Sequence, residues 1–494
     1  MAMNNIHVIV AFALYLAFML AIGWVFYRRT RNLEDYILGG RGLNSWVAAM
    51  SAQASDMSGW LLMGLPGFAY LAGIQAGWIA LGLGIGTYLN WKLVARRLRL
   101  YTESAGNALT IPDYFESRFH DHSHFLRVVS ALFILVFFLI YTASGFVAGA
   151  KLFSTVFNLP YVTALILGAL VIITYTFMGG FLAVSWTDFF QGIIMFMAIT
   201  LVPLLAIRNK GGLEKTVSAL KGLNLELLDP FTTASGAAVT WVAVVSLLAW
   251  GLGYFGQPHI LARFMAIRNP RHIPRSRHIA MTWVVISLAC AVIAGMAGAA
   301  LPVQSLVGPD SEKVFILLVE RMAHPMAAGL FLSAILAAIM STADSQLLVT
   351  SSAITRDFYK VILRPRAGER ELLWISRLAV LVVALAALAL ALNPENSVLG
   401  LVAYAWAGFG ATFGPLVMIS LYWARMTRRG ALAGIVVGGL TVLIWKPISG
   451  GIFDLYEIVP GFVFSSLAIL VVSLLEKSPP ENLRQEFTRI NSGA

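Results

Sequence analysis

The stretch Ser51-Ala-Gln-Ala-Ser-Asp-Met-Ser-Gly59 lies in the middle of an apolar run, residues 46–70, and Gly64-Leu-Pro-Gly67 follows it. A carboxylate in hydrocarbon costs several kcal/mol unless it faces protein, water or an ion. Asp56 therefore needs a partner. Its small and hydroxylated neighbours favour a local break, which would free backbone carbonyls and amides; a carboxylate that only caps a broken helix is the plainer alternative. A second interruption stands at Trp250-Gly-Leu-Gly-Tyr-Phe-Gly-Gln-Pro258. Three glycines and a proline in nine positions do not sustain a regular helix. It closes an apolar segment, so a loop at the membrane edge would also fit. Two interrupted segments five spans apart are the pattern of a five-plus-five inverted repeat with its binding site at the breaks.

The rest of the chain puts these breaks in a membrane. Of 494 residues, 59% are hydrophobic and 12% charged, and mean hydropathy is +0.79. Soluble domains carry about 25% charge. A soluble enzyme, a disordered chain and a secreted disulfide scaffold are excluded. Cys290 is the only cysteine, so there is no internal disulfide; it reads as a small buried hydrophobe. Thirteen apolar segments are expected, at 8–27, 46–70, 78–91, 128–150, 162–177, 189–207, 238–254, 280–301, 326–352, 372–392, 398–422, 431–445 and 460–475. The fold class is thus an all-α membrane protein.

With the N-terminus outside, 27 of the 35 Lys and Arg fall on the cytoplasmic side and 8 outside. This asymmetry orients the chain N-out and C-in. The loop 208–237 runs against the trend with Arg208, Lys210, Lys215 and Lys221. Arg28, Arg29 and Arg31 follow the first segment and none precedes it, which marks an uncleaved anchor. A single transmembrane domain over 1–476 and a short cytoplasmic tail over 477–494 are expected. The excess of +11 is explained by topology, so no nucleic-acid partner is inferred, and no obligatory protein partner is evident.

No phosphate loop, H-E-x-x-H or G-x-S-x-G is present, and His120, His122 and His124 read as solvated. Two further polar sites enter apolar segments. Ala338, Ser341, Thr342 and Ser345 recur at i, i+3, i+4 and i+7, placing three hydroxyls on one stripe beside Asp344. Such hydroxyls can also bond back to the preceding turn. Asp188 stands where the fifth and sixth segments meet, as a functional acid or a helix cap. Hard monovalent cations take carbonyls, hydroxyls and one or two carboxylates. The second and ninth segments together offer that set, which is the signature of a cation-coupled secondary transporter. The substrate is not legible from these residues.

Several motifs resemble the sodium:solute symporter family. They are Asp35-Tyr-Ile-Leu-Gly-Gly-Arg41, Ala54 to Gly67, Tyr175 to Asp188, Gly251 to Met265 and Met340-Ser-Thr342. The resemblance runs from the first segment nearly to Glu476 and lies closest to proline-importing members. It implies thirteen helices, a LeuT-like inverted repeat in the bacterial inner membrane, and import of L-proline by alternating access driven by sodium. Carried over, the sodium ligands would be the carbonyls of Ala54, Met57 and Ala338 and the hydroxyls of Ser341 and Thr342, with Asp56 nearby. The substrate pocket would comprise Ser58, Gly59, Tyr141, Trp250, Tyr254 and Pro258.

Some members hold a second sodium on hydroxyls of the ninth span and an acid matching Asp188. Here Asp344 replaces one such hydroxyl, so Asp188, Asp344 and Ser345 would form a second cation site or share a proton. A zwitterionic amino acid suits this pocket: half-helix amides take its carboxylate, freed carbonyls take its amine, and aromatics enclose a small ring. The alternatives are a sodium symporter for another small amino acid or carboxylate, and a membrane sensor built on the transporter fold. An intramembrane enzyme is disfavoured by the lack of a Ser–Lys, His–metal or paired-carboxylate motif.

Overall fold

The computed structural model describes residues 5–27, 33–176, 180–301 and 305–492. Arg28, Arg29 and Arg31 lie outside the described residues. Among the described residues the chain is helical, with two isolated bridges, Leu43 to Ile267 and Thr232 to Ala238, as its only β pairing. The principal helices are α1 (Asn5–Tyr27), α2 (Ser45–Asp56), α3 (Leu65–Ala72), α4 (Gly77–Leu89), α5 (Phe125–Phe157), α6 (Tyr161–Thr176), α7 (Phe181–Lys210) and α8 (Trp241–Leu248). They continue with α9 (Pro258–Met265), α10 (Ile273–Ala300), α11 (Pro325–Ser352), α12 (Glu369–Leu390), α13 (Val398–Tyr422), α14 (Arg428–Trp445) and α15 (Ile458–Leu475).

Among the described residues, ten helices are long and apolar enough to cross a membrane, and Tyr161–Thr174 and Trp241–Gly256 are shorter apolar helices. One of the ten, Trp60–Ser104, is divided by a turn at Gly73, whose φ of 60° favours glycine. The expected second and third segments part at this turn. Large apolar side chains such as Leu14, Leu170, Leu204 and Leu474 are more than half exposed, as a lipid-facing exterior requires. Cys290 is half-buried and not enclosed as expected. His120, His122 and His124 are exposed.

Two boundaries differ from expectation in ways that matter for the site. Helix α7 starts at Phe181, not near residue 189, so Asp188 lies two turns inside it and is fully buried. That removes the cap reading. The seventh segment does not end at its glycines: α8 passes through a 3₁₀ run, Ala249–Gly256, and resumes as α9. Arg263, which the charge count puts in a cytoplasmic loop, is thereby carried into the protein and is 0% exposed. Helix α11 is the most enclosed, although it carries Ser341, Thr342, Asp344 and Ser345.

Small residues set the helix spacing around the breaks. A Cβ on Gly82 would lie 2.2 Å from the Leu248 carbonyl, and one on Gly86 would lie 2.2 Å from that of Gly251. Without glycines α4 could not approach the second break so closely. Ion pairs bind the two ends of the bundle. At one, Lys151 pairs with Glu312, which accepts the amides of Val398 at 3.0 Å and Leu399 at 2.9 Å and so caps α13. At the other, Arg127 holds Asp357 at 2.7 Å and Glu116 at 3.2 Å.

Candidate functional site

Asn44 opens α2, its side-chain oxygen accepting the amides of Trp46 and Val47 at 3.0 Å. The helix stays regular until Met57, whose amide still reaches Gln53 at 2.8 Å while its own φ and ψ, −84° and 77°, are not helical. The next amide, Ser58, would bond Ala54 in a continuous helix. It turns instead to the Asp56 carbonyl at 3.0 Å, and Leu61 closes on Ser58 at 3.0 Å. The Ala54 carbonyl thus loses its helical donor.

Helix α11 meets this carbonyl. Ser341 donates to Ala54 at 2.7 Å and also to Ala338 in its own helix at 3.2 Å. Thr342 reaches Ala54 at 3.5 Å. Two carbonyls and two hydroxyls, all buried, therefore meet where the break crosses the hydroxyl stripe. These are four of the oxygens expected to hold sodium. The set is all oxygen, as a hard cation requires.

Asp56 faces the other break. Its Oδ2 accepts from the Tyr254 hydroxyl at 2.7 Å, while its Oδ1 accepts no hydrogen bond from the described residues. Its backbone carbonyl accepts from Tyr141 at 3.1 Å and from the Trp60 indole at 3.0 Å. A fully buried carboxylate oxygen with no donor is costly, and a cation or an amine would satisfy it. Asp56 thus joins the two interruptions through Tyr254 and stands two residues from Ala54.

At the second break, freed carbonyls are met by side chains. Trp250 accepts from the Trp406 indole at 2.7 Å, Gly253 from Gln257 at 3.1 Å and Tyr254 from Asn90 at 2.9 Å. Tyr254 meets Trp406 edge-on with ring centres 5.0 Å apart, and Trp250 lies 6.3 Å from Trp60 and 5.7 Å from Tyr456. Tyr254, which bonds the Asp56 carboxylate, and Tyr141, which bonds its backbone carbonyl, are 1% exposed, and Trp250 is 5% exposed, so the aromatics around the two breaks form a buried shell.

Not every expected pocket residue shares this shell. A Cβ on Gly59 would sit 2.7 Å from that of Ala148, so Gly59 permits close packing against α5. Pro258 begins α9 and lines a small cavity of about 20 Å³ with Ile37, Leu109, Ala262 and Leu348. Asp188 and Ser345 are brought together, but through Arg263, whose guanidinium bonds both as well as Ser51. Asp344 lies within electrostatic range of Arg263 and Tyr15.

Sequence reasoning missed Trp60, Asn90, Gln257, Arg263 and Trp406. Trp406 carried a signal: it sits in Ala405-Trp-Ala-Gly-Phe-Gly410, where small neighbours admit another backbone. Arg263 carried a weaker one, a lone charge flanked by Leu261, Phe264 and Met265.

Known proteins resemble this chain in sequence and in fold. A sodium/proline symporter of Salmonella typhimurium is 53% identical over 489 residues, covering 98% of this chain and 96% of its own. One of Escherichia coli is likewise 53% identical over 489 residues, with the same coverage of 98% and 96%. The high-affinity proline transporter PutP of Bacillus subtilis is 49% identical over 471 residues, covering 95% and 98%. Among solved structures, a substrate-bound, outward-open Na+-coupled sialic acid symporter superposes with a TM-score of 0.78 at 20% identity. That match covers 96% of this chain and 99% of the other, so the two have the same fold. The profile of the sodium:solute symporter family matches residues 36–438, and the chain belongs to that family.

Proposed function

We propose that this protein imports L-proline across the bacterial cytoplasmic membrane, driven by the sodium gradient, through alternating access to a site between the two breaks. The observation that carries the reading is the meeting of the Ala54 carbonyl with Ser341 and Thr342, beside a buried carboxylate lodged among aromatics. Full-length relatives named as sodium/proline symporters support it.

In this reading sodium is the coupling ion. Its ligands are the carbonyls of Ala54, Met57 and Ala338 and the hydroxyls of Ser341 and Thr342, and Asp56 balances the charge. Proline binds in the shell of Tyr141, Trp250 and Tyr254, with Ser58, Gly59 and Pro258 shaping the backbone at either break. Sodium supports the site by replacing hydrogen bonds that the Ala54 carbonyl otherwise receives from hydroxyls. The chain forms one transport domain to residue 476 with a tail beyond, thirteen crossings, N-terminus outside and C-terminus in the cytoplasm. The five-plus-five repeat relates the α2–α3 break to the α8–α9 break.

Uptake by proteoliposomes under an imposed sodium gradient tests the function, against a panel of labelled amino acids and small carboxylates. Proline should accumulate and collapse with a sodium ionophore. Accumulation of a different solute, or of proline without sodium, would overturn the assignment.

A further inference from the structure

Away from both breaks, an apolar groove of about 620 Å³ runs between α4 and α10. One wall carries Leu81, Ile85 and Leu89, the other Met281, Val285 and Val292. Leu81, Ile85 and Val285 are about half exposed, so the groove opens outward toward lipid. Gly77 and Gly84 also line it, and a Cβ on either would meet open space, so they give the groove its width. Gly82 and Gly86 seat α4 against the second break, while Gly295 seats α10 against the Pro66 carbonyl beyond the first. Each wall is therefore packed onto one of the two interruptions. The lining residues 77–89 and 281–293 each rise about 18 Å. That is close to one leaflet of a hydrocarbon core ~30 Å thick.

Two cations share one end. The Lys92 ammonium lies 5.6 Å from the ring centre of Tyr88, and the Arg277 guanidinium lies 5.3 Å from the same centre. Tyr88 itself lines the groove. Among the described residues neither cation pairs with a carboxylate, and the buried Arg277 Nε donates no hydrogen bond. Two unneutralised charges at the head of an apolar slot one leaflet long match an anion that carries a hydrocarbon chain.

From this geometry we propose that the groove between α4 and α10 binds one anionic phospholipid of the cytoplasmic leaflet. Lys92 and Arg277 hold its phosphate, and an acyl chain lies along Gly77 and Gly84. The leaflet rests on the topology proposed above, which puts both cations on the cytoplasmic side. A zwitterionic headgroup brings its own cation and would leave the pair without a counter-charge. Because one wall is packed on each break, lipid in the groove sets their spacing and supports transport. Basic residues at cytoplasmic helix ends also fix topology, but that role needs neither a shared ring nor a groove.

Native mass spectrometry of the purified, full-length protein reads the binding directly, with phosphatidylglycerol or phosphatidylcholine supplied in detergent. Wild type should retain one phosphatidylglycerol per chain and release phosphatidylcholine. A cation beside an anionic headgroup is worth about fivefold, so Lys92→Gln with Arg277→Gln should weaken retention about thirtyfold. Lys92→Arg with Arg277→Lys should preserve it. Gly84→Phe keeps both cations but fills the groove, and should release the lipid as well. In proteoliposomes, wild-type uptake should rise severalfold as phosphatidylglycerol replaces phosphatidylcholine, and the double Gln variant should not respond.

Equal retention of the two lipids by wild type would overturn the proposal. So would undiminished phosphatidylglycerol binding in the double Gln variant, the result expected if the cations serve topology alone. A flat lipid response of wild-type uptake would remove the role in transport. Should the double Gln variant not fold, Gly84→Phe decides, and should neither fold, the wild-type comparison does. Failure of the transport reading is separate, since the binding measurement uses neither sodium nor proline.

Discussion

Asp56 combines two demands that pull against each other. Burial penalises its charge, yet among the described residues only one of its two carboxylate oxygens receives a hydrogen bond, from Tyr254. A bound cation would resolve the imbalance. Asp56→Asn removes the charge with little change of shape, so the sodium concentration for half-maximal uptake should rise at least tenfold, a loss of ~1.4 kcal/mol. Sodium titration of proline uptake measures this, and an unchanged midpoint in well-expressed protein would count against Asp56 as a charge partner. Trp250 should behave differently, because its contacts are with Trp60, Tyr456 and Trp406 and not with the Ala54 junction. Trp250→Ala should weaken proline binding at least ~tenfold, while sodium binding measured without proline changes far less. Equal weakening of both ligands would mean that Trp250 supports the fold and not the pocket.

The two interrupted helices show what a sequence can and cannot convey. Both breaks were legible, because glycine, proline and short hydroxylated residues concentrated in an apolar run weaken the helical ladder of hydrogen bonds. The oxygens at the junction were legible in part, since the i, i+3, i+4 spacing of Ala338, Ser341 and Thr342 fixes their common face. What crosses from one helix to another was not. Nothing local tells that Asn90 will satisfy Tyr254, or that the Trp406 indole will answer the Trp250 carbonyl; those pairings depend on how four helices pack. Arg263 was misplaced for a related reason. Apolar length, read by itself, ended the seventh segment at its glycines, whereas the structure lets the helix resume for eight residues beyond them. The same break tolerates no added bulk. A Cβ on Gly253 would come within 1.9 Å of the Trp406 indole nitrogen. Gly253→Ala should therefore cost about 1–3 kcal/mol through overpacking, seen as a lower midpoint of thermal unfolding in detergent. An unchanged midpoint would mean that the break relaxes more freely than its contacts suggest.

Across the full chain, the distribution of basic residues bears on orientation. The proposed topology puts residue 122 in the cytoplasm and residue 235 outside, and both His122 and Ser235 are exposed. In a Cys290→Ser background, Ser235→Cys should react with a membrane-impermeant maleimide in intact cells. His122→Cys should react only after lysis. The reverse pattern would invert the orientation.

The Tyr254 hydroxyl bond to Asp56 has a thermodynamic corollary. In the proposed reading it links the solute pocket to a residue two positions from the Ala54 carbonyl, so occupancy of either place would alter the free energy of the other. Linkage is reciprocal: the factor by which sodium tightens proline equals the factor by which proline tightens sodium. Tyr254→Phe keeps the ring and deletes only the bond, and should shrink that common factor severalfold. Trp250→Ala should lower proline affinity at every sodium concentration and leave the factor nearly intact. Calorimetric titration of proline at low and at saturating sodium distinguishes the two, and a full-sized factor in Tyr254→Phe would mean that the ion and the solute communicate by another route.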